Sequence, residues 1–208
     1  MSASGDFDLV IRGGTVVDGS GGEPFKADVA VRDGRIVVVD EMSVGELSQA
    51  REVVDVDGLV VAPGFVDIHT HYDGQATWDP LLEPSSGHGV TTVVAGNCGV
   101  GFAPVRPGDE QWLISLMEGV EDIPGTALTE GIDWSWETFP EYLDALDRRR
   151  YGIDVGVQVS HGAVRAYAMG ERGAANEPAT PEEIAAMAAI VQDAVESGAL
   201  GFSTSPNS

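Results

Sequence analysis

Two histidines separated by a single residue close an apolar stretch of the sequence. The stretch reads VVAPGFVDIHTHYD, from Val60 to Asp73, and the histidines are His69 and His71. In an extended strand, residues i and i+2 point to the same face, so the two imidazoles are expected to project together. Imidazole nitrogens at this spacing can bind one metal ion such as Zn²⁺. The alternative is a histidine pair that faces solvent or makes structural hydrogen bonds.

The single cysteine of the chain is the next candidate ligand. Cys98 lies in the segment GNCG, directly after the apolar run TTVVA at 91–95. If this run and the histidine stretch form neighbouring parallel strands, their carboxyl ends meet at one edge, and a thiolate there reaches the same metal ion. A buried structural cysteine is the alternative. One cysteine allows no internal disulfide, which suits a reducing compartment.

Other polar residues near strand ends are weaker candidates. Asp73 is expected to orient a histidine, to contact substrate or to cap a turn, and Asp67 to make at most a supporting hydrogen bond. His161 ends a third apolar run, and Arg165 follows four residues later. This pair suggests binding of a substrate carboxylate, although a structural histidine fits equally well. His88 precedes a strand, at the end where side chains of barrels serve stability.

The hydrophobic pattern changes near residue 62. Residues 1–62 contain short alternating runs and Gly-rich turns, including Gly13-Gly14 and Asp33-Gly34, which predict the strands of a small β-sandwich. Residues 63–208 contain continuous apolar runs separated by longer segments, which predict βα units of an α/β barrel. Its four buried parallel strands are expected at the Val60–Asp73 stretch and at 91–95, 153–159 and 199–203.

One helix between the third and fourth strands has clear end signals. Thr180 is expected to cap it, with Pro181 in the first turn, Glu183 completing a capping box and Gly198 ending it. An apolar stripe predicts the face toward the core, and its members are Ile184, Met187, Ala188, Val191 and Val195. A second helix is expected at 135–149. The Pro-rich segment 103–133 is irregular, with a helix suggested at 113–117.

Composition narrows the class of partner. The 208 residues carry 34 acidic and 11 basic side chains, a formal net charge of −23, which argues against nucleic acid and anionic membranes. The amino terminus has no signal-peptide pattern, and no apolar run approaches the roughly 18 residues of a membrane span. We therefore expect a cytoplasmic protein that acts on a small-molecule substrate, and the sequence leaves its oligomeric state open.

Two longer segments resemble a known enzyme family. The segments VVAPGFVDIHTHYDGQATWDP and GVTTVVAGNCGVGFAPV are similar to the D-aminoacylase branch of the amidohydrolase superfamily, the N-acyl-D-amino-acid deacylases. The segments FDLVIRGGTVVDGSG, ADVAVRDGRIVVV and VQVSHGAVRAYAMG resemble the same branch. The motif HTH is shared with dihydroorotases and hydantoinases, whereas GNCG after GVTTVV is more specific to the deacylases.

The resemblance implies a (β/α)₈ barrel flanked by a β-sandwich, and a zinc hydrolase of linear amides. It implies that Cys98 binds a tight zinc ion together with two histidines from later strands, while His69 and His71 form a second, weaker metal site. It also implies a general-base aspartate on a late strand. No histidine follows His161, so we expect those later ligands and the base beyond residue 208, and no catalytic residue within this chain.

The resemblance therefore implies the amino-terminal part of a deacylase. Residues 1–62 would be sandwich strands, and residues 63–208 the first half of an incomplete barrel. The expected reaction is zinc-dependent hydrolysis of N-acyl-D-amino acids. Two alternatives remain open: a cyclic-amide hydrolase similar to dihydropyrimidinases and hydantoinases, or an inactive fragment that binds only metal or a partner.

Overall fold

The amino-terminal part of the chain forms one β-sheet. The computed structural model describes residues 7–47 and 49–205, which divide into two compact units, one up to Pro63 and one from Gly64 onward. The elements of the first unit are β1 (Leu9–Val16), β2 (Phe25–Arg32), β3 (Arg35–Asp40), α1 (Val44–Leu47), β4 (Val53–Asp55) and β5 (Val60–Val61). The strand order is β3-β2-β1-β4, and β5 pairs with β1. The described residues of this unit thus form one mixed sheet of five strands.

The two glycine turns predicted for this unit have different outcomes. Asp33-Gly34 connects the antiparallel strands β2 and β3, as predicted. The turn predicted at Gly13-Gly14 is wrong, because β1 runs through both residues. Gly13 has φ +76°, and the pairing of β1 with β2 shifts register between Ile11 and Gly14. The glycine pair therefore makes a β-bulge, which bends a strand without ending it.

The second unit alternates strands and helices. Its strands are β6 (Phe65–Asp67), β7 (Val90–Ala95), β8 (Asp154–Val157), β9 (Val159–Ser160) and β10 (Phe202–Ser203). Its helices are α2 (Glu110–Glu121), α3 (Gly125–Gly131), α4 (Phe139–Asp147), α5 (His161–Met169), α6 (Glu171–Ala174) and α7 (Pro181–Glu196). Two 3₁₀ turns occupy Gln75–Thr77 and Ser86–His88. The result is a mixed α/β fold.

Parallel pairing follows the order of the chain. β6, β7 and β8 are neighbours in one parallel sheet, and β9 pairs in parallel with β10. Gln158 alone separates β8 from β9, and its N–H donates to the carbonyl oxygen of Ala95 at 2.9 Å. The N–H of Leu200 donates to the carbonyl oxygen of Val157 at 2.8 Å, so β10 continues the series. The carboxyl ends of all these strands consequently face the same way.

The Pro-rich segment between β7 and α4 packs into the core. The helix suggested at 113–117 is present as the longer α2. The buried side chains of this segment are Phe102, Leu113, Ile114, Met117, Leu128 and Trp136. The indole N–H of Trp136 donates to the carbonyl oxygen of Phe102 at 2.8 Å. The segment is therefore an ordered layer over the strand ends, not an irregular loop.

The end signals predicted for α7 are confirmed, but its predicted core face is only partly buried. Thr180 and Glu183 form the capping box, and α7 begins at Pro181. Ile184, Ala188 and Val195 of the predicted stripe are exposed, with Ile184 at 56%. The only fully buried side chain described on α7 is Ala194. Met187 and Val191 of the stripe are half-buried and pack against the core, so the prediction holds for two of its five members. Periodicity shows which residues share a face, but not whether another element covers all of it.

The prediction of one buried strand at Val60–Asp73 also needs correction. Val60–Val61 belongs to the sheet of the first unit, and Phe65–Asp67 to the second, with Pro63-Gly64 between them. Phe65, in the edge strand β6, is 65% exposed, and Ile68, directly after that strand, is 71% exposed. No helix in the described ranges is long and apolar enough to cross a membrane.

Candidate metal centre

The segment 96–99, Gly-Asn-Cys-Gly, forms a tight turn at the carboxyl end of β7. Gly96 has φ +80° and Cys98 has φ +54°, so the backbone enters the left-handed region twice within three residues. A Cβ atom on Gly96 would overlap the backbone carbonyl oxygen of Gln158. Glycine is therefore required at this position both for its φ angle and for the close approach of the next strand.

Hydrogen bonds from one buried amide fix this turn. The side-chain NH₂ of Asn97 donates to the carbonyl oxygens of Val94 at 2.8 Å and Thr70 at 3.1 Å. Its side-chain oxygen accepts a hydrogen bond from the amide of Gln158 at 2.9 Å. Asn97 thereby joins the ends of β7 and β8 to the loop that contains the two histidines.

The two histidines lie in the loop after β6, not within the strand. The residue between them, Thr70, is buried, and both its N–H and its hydroxyl donate to the carbonyl oxygen of Val94, at 3.0 and 2.9 Å. Asp67 accepts the backbone N–H of His69 at 3.1 Å, which is a supporting hydrogen bond and not a contact with the ring. Anchored in this way, the imidazole rings of His69 and His71 lie 5.5 Å apart.

The histidine loop and the cysteine turn bring three ligand atoms together. His69 Nε2 lies 3.2 Å from Cys98 Sγ. The ligand atoms of His69, His71 and Cys98 all lie within 4.8 Å of one another. Two imidazoles and a thiolate suit Zn²⁺, which takes nitrogen and sulfur ligands in a tetrahedral arrangement. The residues present therefore fit the metal that the sequence resemblance implies.

Burial sets the protonation states within this cluster. It lowers the pKa of His71, partly offset by the negative charge of Glu121, and so favours the neutral imidazole that binds metal. Burial also raises the pKa of the Cys98 thiol, and the charge of Glu121 and its hydrogen bond with the thiol raise it further. A bound divalent cation would reverse this effect and deprotonate the thiol.

Glu121 lies beside this cluster and is a residue that the sequence reasoning missed. It is the last residue of α2, and its Oε2 lies 3.2 Å from His71 Nε2. Its side chain is 22% exposed. A single glutamate at a helix end has no motif around it, and only the tertiary packing of α2 brings it to the strand ends. No signal in the sequence would have identified it.

Asp73 lies beside the cluster and is almost completely buried, at 2% exposure. Its backbone carbonyl oxygen accepts the hydroxyl of Tyr142 at 2.8 Å. Burial raises the pKa of its carboxyl to about 7. The negative charge of Asp73 also contributes to the raised pKa of Cys98, which places the carboxyl near the thiol.

His161 is the first residue of α5, directly after β9. Its Nδ1 lies 3.3 Å from the hydroxyl of Thr204, and its ring packs edge-on against Phe202. Burial lowers the pKa of His161, and the nearby charge of Arg165 lowers it further. The three-residue cluster does not include His161.

The guanidinium of Arg165 is used within its own helical region. It donates to the backbone carbonyl oxygens of Gly173, at 3.2 Å, and of Glu177. These bonds tie α5 to α6 and to the segment that follows. In this arrangement the guanidinium Nε and Nη2 of Arg165 both donate to backbone carbonyl oxygens.

The chain is similar to several known deacylases. The D-aminoacylase of Alcaligenes xylosoxydans xylosoxydans is 39% identical over 204 residues, which are 98% of this chain and 39% of the relative. A solved structure of a D-aminoacylase superposes with TM-score 0.78 at 38% identity, covering 95% of this chain and 38% of that one. That enzyme has a binuclear metal centre, with activation by one metal and attenuation by the second. The N-acyl-D-glutamate deacylase of Bordetella bronchiseptica, in complex with zinc and a phosphonate inhibitor, superposes with TM-score 0.77 at 36% identity and covers 95% and 38%.

The chain therefore spans about two fifths of the length of the relatives it matches. The model of the amidohydrolase family matches residues 52–208, three quarters of the sequence. On this match, and on identities of 36–39% across nearly the whole chain, the chain belongs to the amidohydrolase family.

Proposed function

We propose that the protein containing this chain is a zinc-dependent hydrolase that removes the acyl group from N-acyl-D-amino acids. The observation that carries the proposal is the convergence of His69, His71 and Cys98 within 4.8 Å at neighbouring strand ends. The matched relatives, a D-aminoacylase and an N-acyl-D-glutamate deacylase, support the substrate class. The substrate is a small molecule, and a reducing compartment such as the cytoplasm suits a centre that needs a free thiolate.

The residues of this chain would hold and orient the metal. The chemistry that a zinc ion would supply there is polarisation of an acyl carbonyl and activation of a water near neutral pH. His69, His71 and Cys98 supply nitrogen and sulfur ligands, and Asn97 keeps their two loops in register. We propose one tight and one weaker zinc site, because the resemblance assigns Cys98 and the histidine pair to different sites. The proton-accepting aspartate that the resemblance implies is expected outside these residues.

We further propose that residues 63–208 contribute the first half of a (β/α)₈ barrel. Four successive parallel strand positions, in chain order and with helices between them, support this assignment. Residues 1–62 would contribute strands to a composite β-sandwich. Asp73, His161 and Arg165 remain proposed substrate-side residues. For Asp73 the support is its burial next to Cys98, whereas the hydrogen bonds of Arg165 favour a structural role.

A test compares Cys98→Ala and His69→Ala with the wild-type protein at its natural length. Bound zinc per chain and the hydrolysis of N-acetyl-D-amino acids should both fall in the two variants. His88→Ala is the matched control, because His88 is exposed and lies before β7, at the opposite end of the strand from the cluster. N-acetyl-L-amino acids, hydantoins and dihydropyrimidines define the substrate class.

Each outcome decides between the alternatives. Turnover restricted to cyclic amides would replace the deacylase with the cyclic-amide hydrolase. Bound zinc without turnover of any amide would identify a non-catalytic metal-binding protein. Unchanged zinc content and turnover in Cys98→Ala would refute the proposed centre itself.

A further inference from the structure

The hydroxyl of Ser203 binds both ends of the turn that carries Cys98. Ser203 is the last residue of β10 and lies 104 residues after Gly99 in the sequence. Its oxygen accepts the backbone N–H of Gly99 at 3.2 Å, and its O–H donates to the carbonyl oxygen of Gly96. In an ordinary hydrogen-bonded β-turn these two backbone groups would bind each other. A side chain from a distant strand therefore closes the turn at the end of β7.

Other bonds to the turn come from the elements next to β7. The side-chain amide of Gln158, between β8 and β9, donates to the side-chain oxygen of Asn97 at 2.9 Å. The N–H of the second residue of α5 donates to the carbonyl oxygen of Gly99 at 2.8 Å. Each of these bonds holds one side of Cys98, whereas the hydroxyl of Ser203 holds both sides.

The turn needs these bonds because its backbone is strained at Cys98. This residue has φ +54°, in the left-handed region where a Cβ atom crowds the backbone. Its neighbours Gly96 and Gly99 have φ +80° and +74°, which glycine tolerates. A non-glycine residue stays in this conformation only when the surrounding structure holds it there. Relaxation of the backbone at Cys98 would move its sulfur from the position 3.2 Å from His69 Nε2.

We propose that Ser203 is a positioning residue of the metal centre, whose hydroxyl keeps Cys98 in the orientation that binds zinc. This inference rests on the metal centre of the proposed function. Ser203 acts through the backbone of the turn and adds no ligand, so the coordination position that hydrolysis requires for water stays open. The alternative is a serine that satisfies two backbone groups and contributes only to the stability of the fold.

The first experiment measures Zn²⁺ affinity by competition with a chromogenic chelator, using the protein at its natural length. Ser203→Ala should lower the affinity by at least about tenfold, because partners outside the coordination sphere contribute about 10–100-fold. Ser203→Thr keeps the hydroxyl at a strand position, which suits a β-branched residue, and should retain the wild-type affinity. Ser115→Ala is the matched control, because it removes an exposed hydroxyl that donates to a carbonyl oxygen within α2, and its affinity should be unchanged.

The second experiment separates the position of the thiolate from the stability of the fold. Co²⁺ replaces Zn²⁺, and the thiolate-to-cobalt absorption band that is lost in Cys98→Ala reports on the bond between this sulfur and the metal. At saturating Co²⁺ the band should be weaker in Ser203→Ala and normal in Ser203→Thr. Val10→Ala removes buried methyl groups from β1 and so lowers stability without changing the turn, and its band should match that of the wild type.

A third measurement needs no metal. Iodoacetamide alkylates the thiol of Cys98 in the metal-free protein, and the rate is followed by the mass of the peptide that contains this residue. The thiol is half-buried, and loosening of the turn should expose it. Alkylation should therefore be faster in Ser203→Ala than in the wild type, and unchanged in Ser203→Thr and Val10→Ala.

The outcomes separate this inference from the proposed function. Equal zinc affinity in Ser203→Ala and the wild type would overturn the positioning role and leave the three ligands in place. Weaker zinc binding with the cobalt band of the wild type would also overturn it, since Ser203 would then act on stability alone. The same losses in Ser203→Thr would show that the hydroxyl is not the group responsible. A wild-type protein that binds no zinc at Cys98 would overturn the centre and the positioning role together, while the alkylation rates would still report whether the hydroxyl holds the turn.

Discussion

Gly96 is the position where the geometry of the metal centre is most sensitive to a single methyl group. Replacing Gly96 with alanine places a Cβ atom on a residue with φ +80°, where it would overlap the carbonyl oxygen of Gln158. The obstacle is backbone between β8 and β9, so it cannot rotate away as the end of a side chain would. Gln158 also donates to Asn97, which holds the turn that presents Cys98.

Two effects add to give the expected loss of stability. A non-glycine residue in the left-handed region costs roughly 1–2 kcal/mol, and inserting atoms into a packed region costs about 1–3 kcal/mol. We expect Gly96→Ala to lower the free energy of unfolding by about 2–5 kcal/mol. Because the strain is relieved by moving the turn, zinc affinity should fall as well.

Denaturant unfolding with and without zinc measures both effects. Gly87→Ala is the matched control, since a Cβ atom added to Gly87 would meet no heavy atom within 4 Å and Gly87 has no left-handed φ angle. That variant should remain within about 0.5 kcal/mol of the wild type. If Gly96→Ala also stays within that range and binds zinc normally, the close approach of Gln158 to the turn is not a constraint, and the reasoning fails.

Two further predictions concern groups that support the centre or the core. Tyr142→Phe leaves the carbonyl oxygen of Asp73 without its buried hydrogen-bond donor and should lower the free energy of unfolding by about 1–3 kcal/mol in denaturant unfolding. Tyr151→Phe removes a half-buried hydroxyl that donates to the carbonyl oxygen of Ala76, and it should cost less. Equal losses in the two variants would contradict the argument. Hydrogen bonds from the backbone N–H of Thr138 and of Glu137 lower the pKa of Glu141 below its ordinary value of 4.5. The ionised Glu141 therefore stabilises the fold above pH 4.5, and this stabilisation is lost as the pH falls through the lowered pKa. Glu141→Gln should therefore flatten the acid limb of a plot of unfolding free energy against pH, and an unchanged limb would show that this carboxylate does not contribute.

The sequence was sufficient where a local pattern has one structural outcome. Thr180, Pro181 and Glu183 predict the start of α7 because a capping box is satisfied within four residues. The proximity of Cys98 to the histidine pair was predicted because the carboxyl ends of neighbouring parallel strands meet at one edge. Neither conclusion required knowledge of the distant parts of the chain.

The sequence was insufficient where the outcome depends on what packs against a segment. Gly13-Gly14 has the composition of a turn, yet cross-strand pairing carries β1 through it as a bulge. The exposed face of α7 has the periodicity of a core face, and periodicity does not reveal whether an element covers it. The position of Glu121 could not be predicted for the same reason, because its contact with His71 depends on how α2 packs near the strand ends.

Metal binding and hydrolysis are separable properties of this architecture. His69 and His71 follow β6, Cys98 follows β7, and these two strands pair directly, so the ligands are positioned by a small part of the fold. A general base on a late strand, which the resemblance implies, would depend on elements that these residues do not include. Zinc binding by the chain is therefore expected both for a deacylase and for a protein that only binds metal. Turnover of N-acyl-D-amino acids, and not zinc content, is the observation that distinguishes them.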